Sequence, residues 1–315
     1  MSEKFDVICI GAALVDMVAQ VQRHPLEDDE VFVSDLKMLS GGAAANTAYS
    51  CAKLELKTAF IGKLGTNDEF GNKILNDFQE VSVDTSLIKY SKDQGTGSAY
   101  VALNPEGDRR IYAHSGAANY LSKEDIILEE IKKAKIIFLS SLKNITPFIK
   151  AAIIAQENNI PVILNPGMLI IEQGLTTIKE LLENIDIFIL SQREYQTLLG
   201  ISSEKLSVDN MTETSNTLFE LGIKALIVTM GSQGAFVMNN EQSKLIPASN
   251  VEKVIDTTGA GDAFSAGFIK DFVGNLDYQF ENLIHNVEFG NLIAGICIQE
   301  LGARNGIPTP DDIVD

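Results

Sequence analysis

The feature that most constrains this chain is a repeated alternation between residues 135 and 229. Short apolar, β-branched runs at 135–139, 161–164, 185–190 and 225–229 are separated by helix-like stretches at 147–158, 176–182, 193–199 and 210–221. Runs of that length without polar alternation are strands buried on both faces, and helical connections between them make neighbouring strands parallel. The expected fold class is therefore α/β, with a mostly parallel sheet covered by helices on both sides. Two earlier runs, at 5–10 and 58–61, also read as strands, the first of them buried. Ligands in such sheets sit beyond the carboxyl ends of the strands. That directs attention to Asn165-Pro166-Gly167, to Ser191-Gln192-Arg193-Glu194, and to the loop from Thr229 through Gly231 and Gly234.

The first third of the chain reads differently. Strand pieces at 12–20, 31–33 and 37–39 precede a hairpin at 97–103 and 109–113, folded around Asn104-Pro105-Glu106-Gly107-Asp108. A hairpin needs such a turn between alternating runs, and together the pieces suggest a small separate sheet. Asp16 interrupts an apolar run. A buried carboxylate is costly without a partner, so it binds either local backbone or a ligand hydroxyl. Ser40-Gly41-Gly42 opens an alanine-rich helix to about residue 54, with Asn46 one turn inside. Paired glycines at a helix entrance admit a close ligand, or they are simply a loop. A helix at 68–78 carries Phe70, Ile74, Leu75 and Phe78 on one side. Another is expected from about Ser122, with that residue as cap and Asp125 at the third position. A long apolar helix runs from about 279 to 299.

Forty-three acidic and 25 basic residues give a net charge of −18. The longest basic clusters are the pairs Arg109-Arg110 and Lys132-Lys133, so nucleic acid is not an expected partner, its affinity resting on neutralised phosphates. Cys9, Cys51 and Cys297 are scattered in apolar surroundings, without metal or redox spacing. They read as reduced thiols of a cytoplasmic protein. No signal-peptide layout and no span of about 20 apolar residues is present, so no membrane is expected.

Asp256-Thr257-Thr258-Gly259-Ala260-Gly261-Asp262 runs directly into an apolar helix-like segment. Gly259 and Gly261 permit a tight turn whose N–H groups converge at the positive end of that helix, an arrangement that binds anions. Asp262 is itself negative, so it either caps the helix or acts on something held beside the anion. One reading is a phosphate cradle with an adjacent carboxylate base, kept ionised by the helix end. The other is a glycine-rich turn with an Asp cap. No P-loop, strand-bound Gly-x-Gly-x-x-Gly, zinc spacing or Gly-x-Ser-x-Gly elbow competes. Phosphoryl transfer needs chiefly positioning and charge stabilisation, and a carboxylate can accept the proton of an attacking alcohol.

The stretch 256–264, with Gly41-Gly42-x-x-x-Asn46 far upstream, resembles the two signatures of the PfkB family, the ribokinase-like carbohydrate and nucleoside kinases. The likeness extends from Gly11-x-x-x-x-Asp16 to Gly302-Ala303. It implies a single domain with a ribokinase-like fold, a small β-sheet lid from about 12–39 and 97–113, and transfer of the γ-phosphoryl group of ATP, with Mg²⁺, to a hydroxyl of a small sugar. A nucleoside is the alternative acceptor, and a catalytically silent sugar- or nucleotide-binding relative the alternative role. By resemblance, Asp262 is the general base, and the backbone of Gly259, Ala260 and Gly261 the anion hole. Asp16, Gly41, Gly42 and Asn46 bind the acceptor. Ser191, Glu194, Thr229, Gly231, Gly234 and Asn291 serve the nucleotide. Asp256 with the carbonyls of Thr258, Cys297, Glu300 and Gly302 would hold a monovalent cation such as K⁺. Relatives with sheet-like lids pair them, which suggests a homodimer.

The chain departs from the family pattern in three places. The Asn-x-x-Glu motif linked to Mg²⁺ and phosphate positioning reads Ser191-Gln192-Arg193-Glu194, so altered affinity is expected. Leu14 and Ala43 replace the Asn and Lys of true ribokinases, which weakens the case for ribose and opens it to fructose, another sugar or a nucleoside.

Overall fold

A computed structural model describes residues 4–106, 108–202 and 208–313. The first part of the chain contains β1 (Phe5–Gly11), β2 (Leu14–Val21), β3 (Val33–Gly41), α1 (Ala43–Lys53), β4 (Thr58–Ile61), β5 (Lys63–Gly65), α2 (Glu69–Glu80), β6 (Lys89–Ser91), β7 (Thr96–Leu103) and β8 (Arg109–Gly116). There follow α3 (Leu128–Ile131), β9 (Ala134–Ser140), α4 (Thr146–Glu157), β10 (Val162–Asn165), α5 (Met168–Ile171), α6 (Leu175–Leu182), β11 (Ile187–Ser191), α7 (Gln192–Leu199), α8 (Val208–Thr214) and α9 (Asn216–Phe219). The last part holds β12 (Ala225–Thr229), β13 (Ala235–Met238), β14 (Ser243–Ile246), α10 (Ala260–Phe272) and α11 (Phe280–Cys297).

Eight strands form the main sheet in the order β14-β13-β12-β11-β10-β9-β1-β4. The six from β12 to β4 are parallel, as their continuous apolar runs require, and β13 and β14 add an antiparallel edge. Val7 to Ile10 are fully buried, because helices cover both faces. One face packs against α4, α6 and α7 through Phe148, Leu181 and Tyr195. The other packs against α1, α2, α10 and α11 through Cys51, Phe78, Phe268 and Val287. Side chains of that size stabilise by about 1.5–3 kcal/mol each when taken out of water.

A second sheet has the order β3-β2-β7-β8. Strand β2 runs antiparallel to β3 and parallel to β7, and β7 and β8 form the expected hairpin. It is the lid implied by the resemblance. A pair of short strands, β5 and β6, carried no legible sequence signal.

Three expectations need correction. No continuous helix starts at Ser122: a capping box between Ser122 and Asp125 closes only a 3₁₀ turn at Lys123–Asp125, followed by the single turn α3. The helix expected at 210–221 is split into α8 and α9 at Ser215, whose hydroxyl donates back to the Met211 carbonyl at 2.7 Å and also meets the Tyr195 hydroxyl. A hydroxyl that bonds the preceding turn bends helices in this way. The piece at 31–33 is not a strand of its own, since β3 begins at Val33.

Candidate active site

The carboxyl ends of the central strands lie level with one another. Gly11 pairs with Ser140, Ser140 with Asn165, and Ser191 with Thr229. Over this edge comes the N-terminus of α10. Gly259 is its N-cap in a left-handed conformation, φ 79°. A Cβ there would stand 2.6 Å from the Ala303 Cα, so both the backbone angle and the space require glycine. The Ala260 amide turns back onto the Thr257 carbonyl at 3.2 Å, closing the turn. The first intrahelical bond is that of Ala263 to the Gly259 carbonyl, which leaves the Gly261 and Asp262 amides without intrahelical acceptors. Gly261 is not a special turn residue, contrary to expectation. It lies inside the helix with open space where a side chain would be, and keeps the helix end accessible.

Asp262 sits in this first turn. Asn46 Nδ2 donates to its Oδ2 at 2.9 Å across from α1. The residue retains some exposure at the cleft floor, while its carboxyl is hemmed in by protein. Lost hydration pushes the carboxyl up to about 7, with the Asn46 bond and the Arg304 charge pulling the other way. Desolvation thus outweighs the favourable interactions, and a carboxyl at about 7 is still substantially ionised near neutral pH.

Asp16 lies on β2, with Gly41 so close that a Cβ there would run into its carboxylate. Burial raises Asp16 above the ordinary carboxylate range, against the pull of Arg304. Gly42 is the N-cap of α1 at φ 94°. Two cavities flank this strip. One, of about 200 Å³, lies between the lid residues Val18, Lys37, Val101 and Ile111 and the loop Leu301, Gly302 and Ala303, with Asp16 on its wall. The other, of about 180 Å³, is lined by Leu14, Gly42, Ala43, Ala113, Lys143 and Leu169. The two positions that depart from ribokinases, Leu14 and Ala43, thus line one mostly apolar cavity.

Ser191 and Glu194 form a capping box at the start of α7. The Ser191 amide donates to the Glu194 carboxylate at 2.7 Å, and the Ser191 hydroxyl accepts from the Glu194 amide at 3.2 Å. Serine in place of Asn has therefore become a helix cap. The loop from Thr229 begins beside it, with a 3₁₀ turn at Gly231–Gln233 and Gly234 at φ 97°. Asn291 does not present a free amide to a nucleotide. It is buried and donates to the carbonyls of Ile246 at 3.3 Å and Pro247 at 2.9 Å, tying α11 to the end of β14.

The donors expected for a monovalent cation are differently engaged. Asp256 Oδ1 accepts from the Thr258 amide and hydroxyl and pairs with Arg109 at 3.1 Å, while its Oδ2 accepts from the Gly302 amide. Burial opposes ionisation of Asp256, but these donors outweigh it and hold its carboxyl below the ordinary value. Arg109, reaching down from the lid, also donates to the Thr258 hydroxyl at 2.9 Å. Its guanidinium so engages one oxygen of the expected set, Asp256 Oδ1. Cys297, pushed up to about 11 by burial and by the nearby Asp262 and Asp256, donates weakly to the Ala303 carbonyl at 3.8 Å. Glu300 donates its amide to the Cys297 carbonyl at 3.3 Å.

Sequence reasoning missed Arg109 and Arg304. Arg304 is 8% exposed and donates from Nε to Asn46 Oδ1 at 2.9 Å. Its sequence signal was only a charged residue between small ones in Gly302-Ala303-Arg304-Asn305-Gly306.

A helix end with open amides, a carboxylate in its first turn and a lidded cleft beside them form the arrangement that phosphoryl transfer requires. Comparison with known proteins narrows this. The profile of the pfkB family carbohydrate kinases matches residues 4–310. A ribokinase of Staphylococcus aureus strain COL is 32% identical over 310 residues, covering 98% of each chain. Probable fructokinase-6 of Arabidopsis thaliana is 30% identical, covering 98% of this chain and 81% of its own. The structure of Arabidopsis thaliana ribokinase complexed with ribose and ATP superposes with a TM-score of 0.87 at 27% identity, covering 99% of this chain and 97% of that one. The chain belongs to the pfkB family of carbohydrate kinases, and is an enzyme of the sugar-kinase type.

Proposed function

We propose that this chain, acting as one domain with its lid, moves the γ-phosphoryl group of ATP to a hydroxyl of a small sugar held between Asp16 and Asp262. The observation that carries the reading is the placement of Asp262: its carboxyl, bonded to Asn46, lies in the same helical turn as the open amides of α10. Asp262 takes the proton of the attacking hydroxyl, and the Gly261 and Asp262 amides stabilise charge on the transferred group. Asp16, Gly41 and Gly42 orient the acceptor. The Thr229 to Gly234 loop and the edge at Ser191 flank the nucleotide.

Among the described residues no group of three or more His, Cys, Asp or Glu side chains is arranged to hold a metal. Mg²⁺ would therefore arrive with the triphosphate and supply charge neutralisation there. Leu14, Ala43, Ala113 and Leu169 give the acceptor cavity an apolar wall, which suits a deoxysugar better than a fully hydroxylated face. The same wall favours a nucleoside as the second reading. The lid exposes Phe32, Leu36, Met38 and Tyr112, which supports pairing of two lids in a homodimer. The buried thiols and the absence, among the described residues, of a helix long and apolar enough to cross a membrane accord with a cytoplasmic enzyme.

The test is ADP formation with Mg²⁺-ATP across a panel of pentoses, ketohexoses, deoxysugars and nucleosides. Turnover with one or a few sugars is the expected result. Turnover with nucleosides alone selects the second reading, and no turnover with any acceptor overturns both.

A further inference from the structure

Arg304 is buried at an expense the fold does not explain. Its Nη1 and Nη2 make no hydrogen bond with any described residue. Nη1 stands 3.7 Å from Asp77 Oδ2 on α2, a loose ion pair. The guanidinium lies over the rings of Tyr49, at 5.0 Å, and Phe78, at 5.7 Å. A buried cation with unused donors is costly, and its one directed bond is Nε to Asn46 Oδ1.

That bond has a consequence for the reacting side of the molecule. An arginine can only donate, so it must face the oxygen of the Asn46 amide. The Asn46 nitrogen then points the other way, toward Asp262, where it donates to Oδ2. Without Arg304 the amide is free to rotate and offer its oxygen to the carboxylate, an arrangement that only a protonated Asp262 tolerates. We propose that Arg304 is a positioning residue for Asp262: it locks the Asn46 amide with its N–H toward that carboxylate and keeps it an acceptor facing the cleft.

Four elements meet at this chain of contacts: α2 with Asp77, the C-terminal loop with Arg304, α1 with Asn46, and α10 with Asp262. The other titratable groups turned toward it are Asp16 on β2, Cys297 on α11, Tyr49 on α1 and Asp256 ahead of α10. Lys73 pairs with Asp77 at 3.3 Å and Arg109 with Asp256 at 3.1 Å, so Arg304 is the cation left to act on Asp16 and Asp262. The two ends of the chain therefore act on Asp262 with opposite signs. Removing Arg304 takes away both the charge and the lock and favours protonation. Removing Asp77 strips Arg304 of its counter-charge and favours the ionised form.

The inference rests on the phosphotransfer reading only in naming Asp262 the base, and its test does not need turnover. The carboxyl carbon of Asp262 in the full chain is titrated by ¹³C NMR, its signal assigned by its loss in Asp262→Asn. In Arg304→Met the midpoint is expected to move up by about one pH unit or more. In Asp77→Asn it is expected to move down. An unchanged or lowered midpoint in Arg304→Met overturns the proposal. If that variant does not fold, Asp77→Asn decides: a lowered midpoint supports the proposal, and an unchanged or raised one overturns it. In a turnover assay, Arg304→Met is expected to lose about tenfold in kcat/KM near pH 6.5 and recover above pH 8, whereas a merely structural role gives a loss independent of pH. A wild-type chain without turnover sinks the proposed function, and the titration still decides the role of Arg304.

Discussion

At Asp262 two forces of opposite sign act on one carboxyl, and the weaker is the one the sequence advertises. A helix N-terminus favours the ionised form by about 0.3–1 kcal/mol, whereas enclosure by protein disfavours it by more, and the carboxyl stands near 7. If Asp262 is the base, kcat/KM rises with pH through a single ionisation near 7, and a flat profile between pH 5.5 and 8.5 would contradict the assignment. The same shift is linked to stability. Between the unfolded value of about 4 and the folded value of about 7, the folded chain holds a proton that the unfolded chain releases. This contribution is fully present below pH 4 and is lost as pH rises through 7. Replacing Asp262 by Asn removes the penalty, so the variant is expected to be more stable than the wild type by up to about 4 kcal/mol at pH 8 and by less at pH 5. Thermal unfolding at the two pH values measures this, and equal gains at both would contradict it.

Among the elements, α10 and the two parts of the chain that meet its first turn carry the site. Gly259 holds its left-handed cap against Ala303. Gly259→Ala is expected to cost about 1–3 kcal/mol in strained backbone, lowering the unfolding midpoint, and to reduce transfer beyond what that loss explains. A variant with wild-type turnover would show that the turn does not need its observed form. This cap was legible because its glycines and its flanking aspartates are adjacent in sequence. The parallel strands were legible for the same kind of reason, as each declares itself in one apolar run. What lay hidden depends on distant partners. Strands β13 and β14 form only as a hairpin on the edge of β12. Ser122 and Asp125 spell a helix start, yet the box closes a 3₁₀ turn, since a capping signal fixes the beginning of an element and not its length. The capping of α7 by Ser191 was not foreseen, because the residue was weighed only as a replacement in a nucleotide motif. Arg109 and Arg304 gave no local signal, because each acts on residues far along the chain, Asp256 in one case and Asn46 in the other.

For the whole molecule, the net charge of −18 must be set against a site that handles a polyanion. Under the proposed reading the helix-end amides of α10 meet this need rather than a basic surface. The lid exposes large aromatic side chains, Phe32 at 88% and Tyr112 at 68%. Its proposed pairing predicts a dimer by light scattering, reduced to monomer by Tyr112→Glu; a wild-type monomer at all concentrations would contradict it. The central claim is that one carboxylate in the first turn of α10 drives transfer to a sugar hydroxyl. The most direct measurement is ³¹P NMR of sugar phosphate formed from Mg²⁺-ATP by the wild type and by Asp262→Asn, with the best acceptor of the panel. The account predicts a phosphomonoester signal whose rate of appearance falls by about 10²–10⁴ in the variant, with folding intact. A wild-type rate in Asp262→Asn would contradict it.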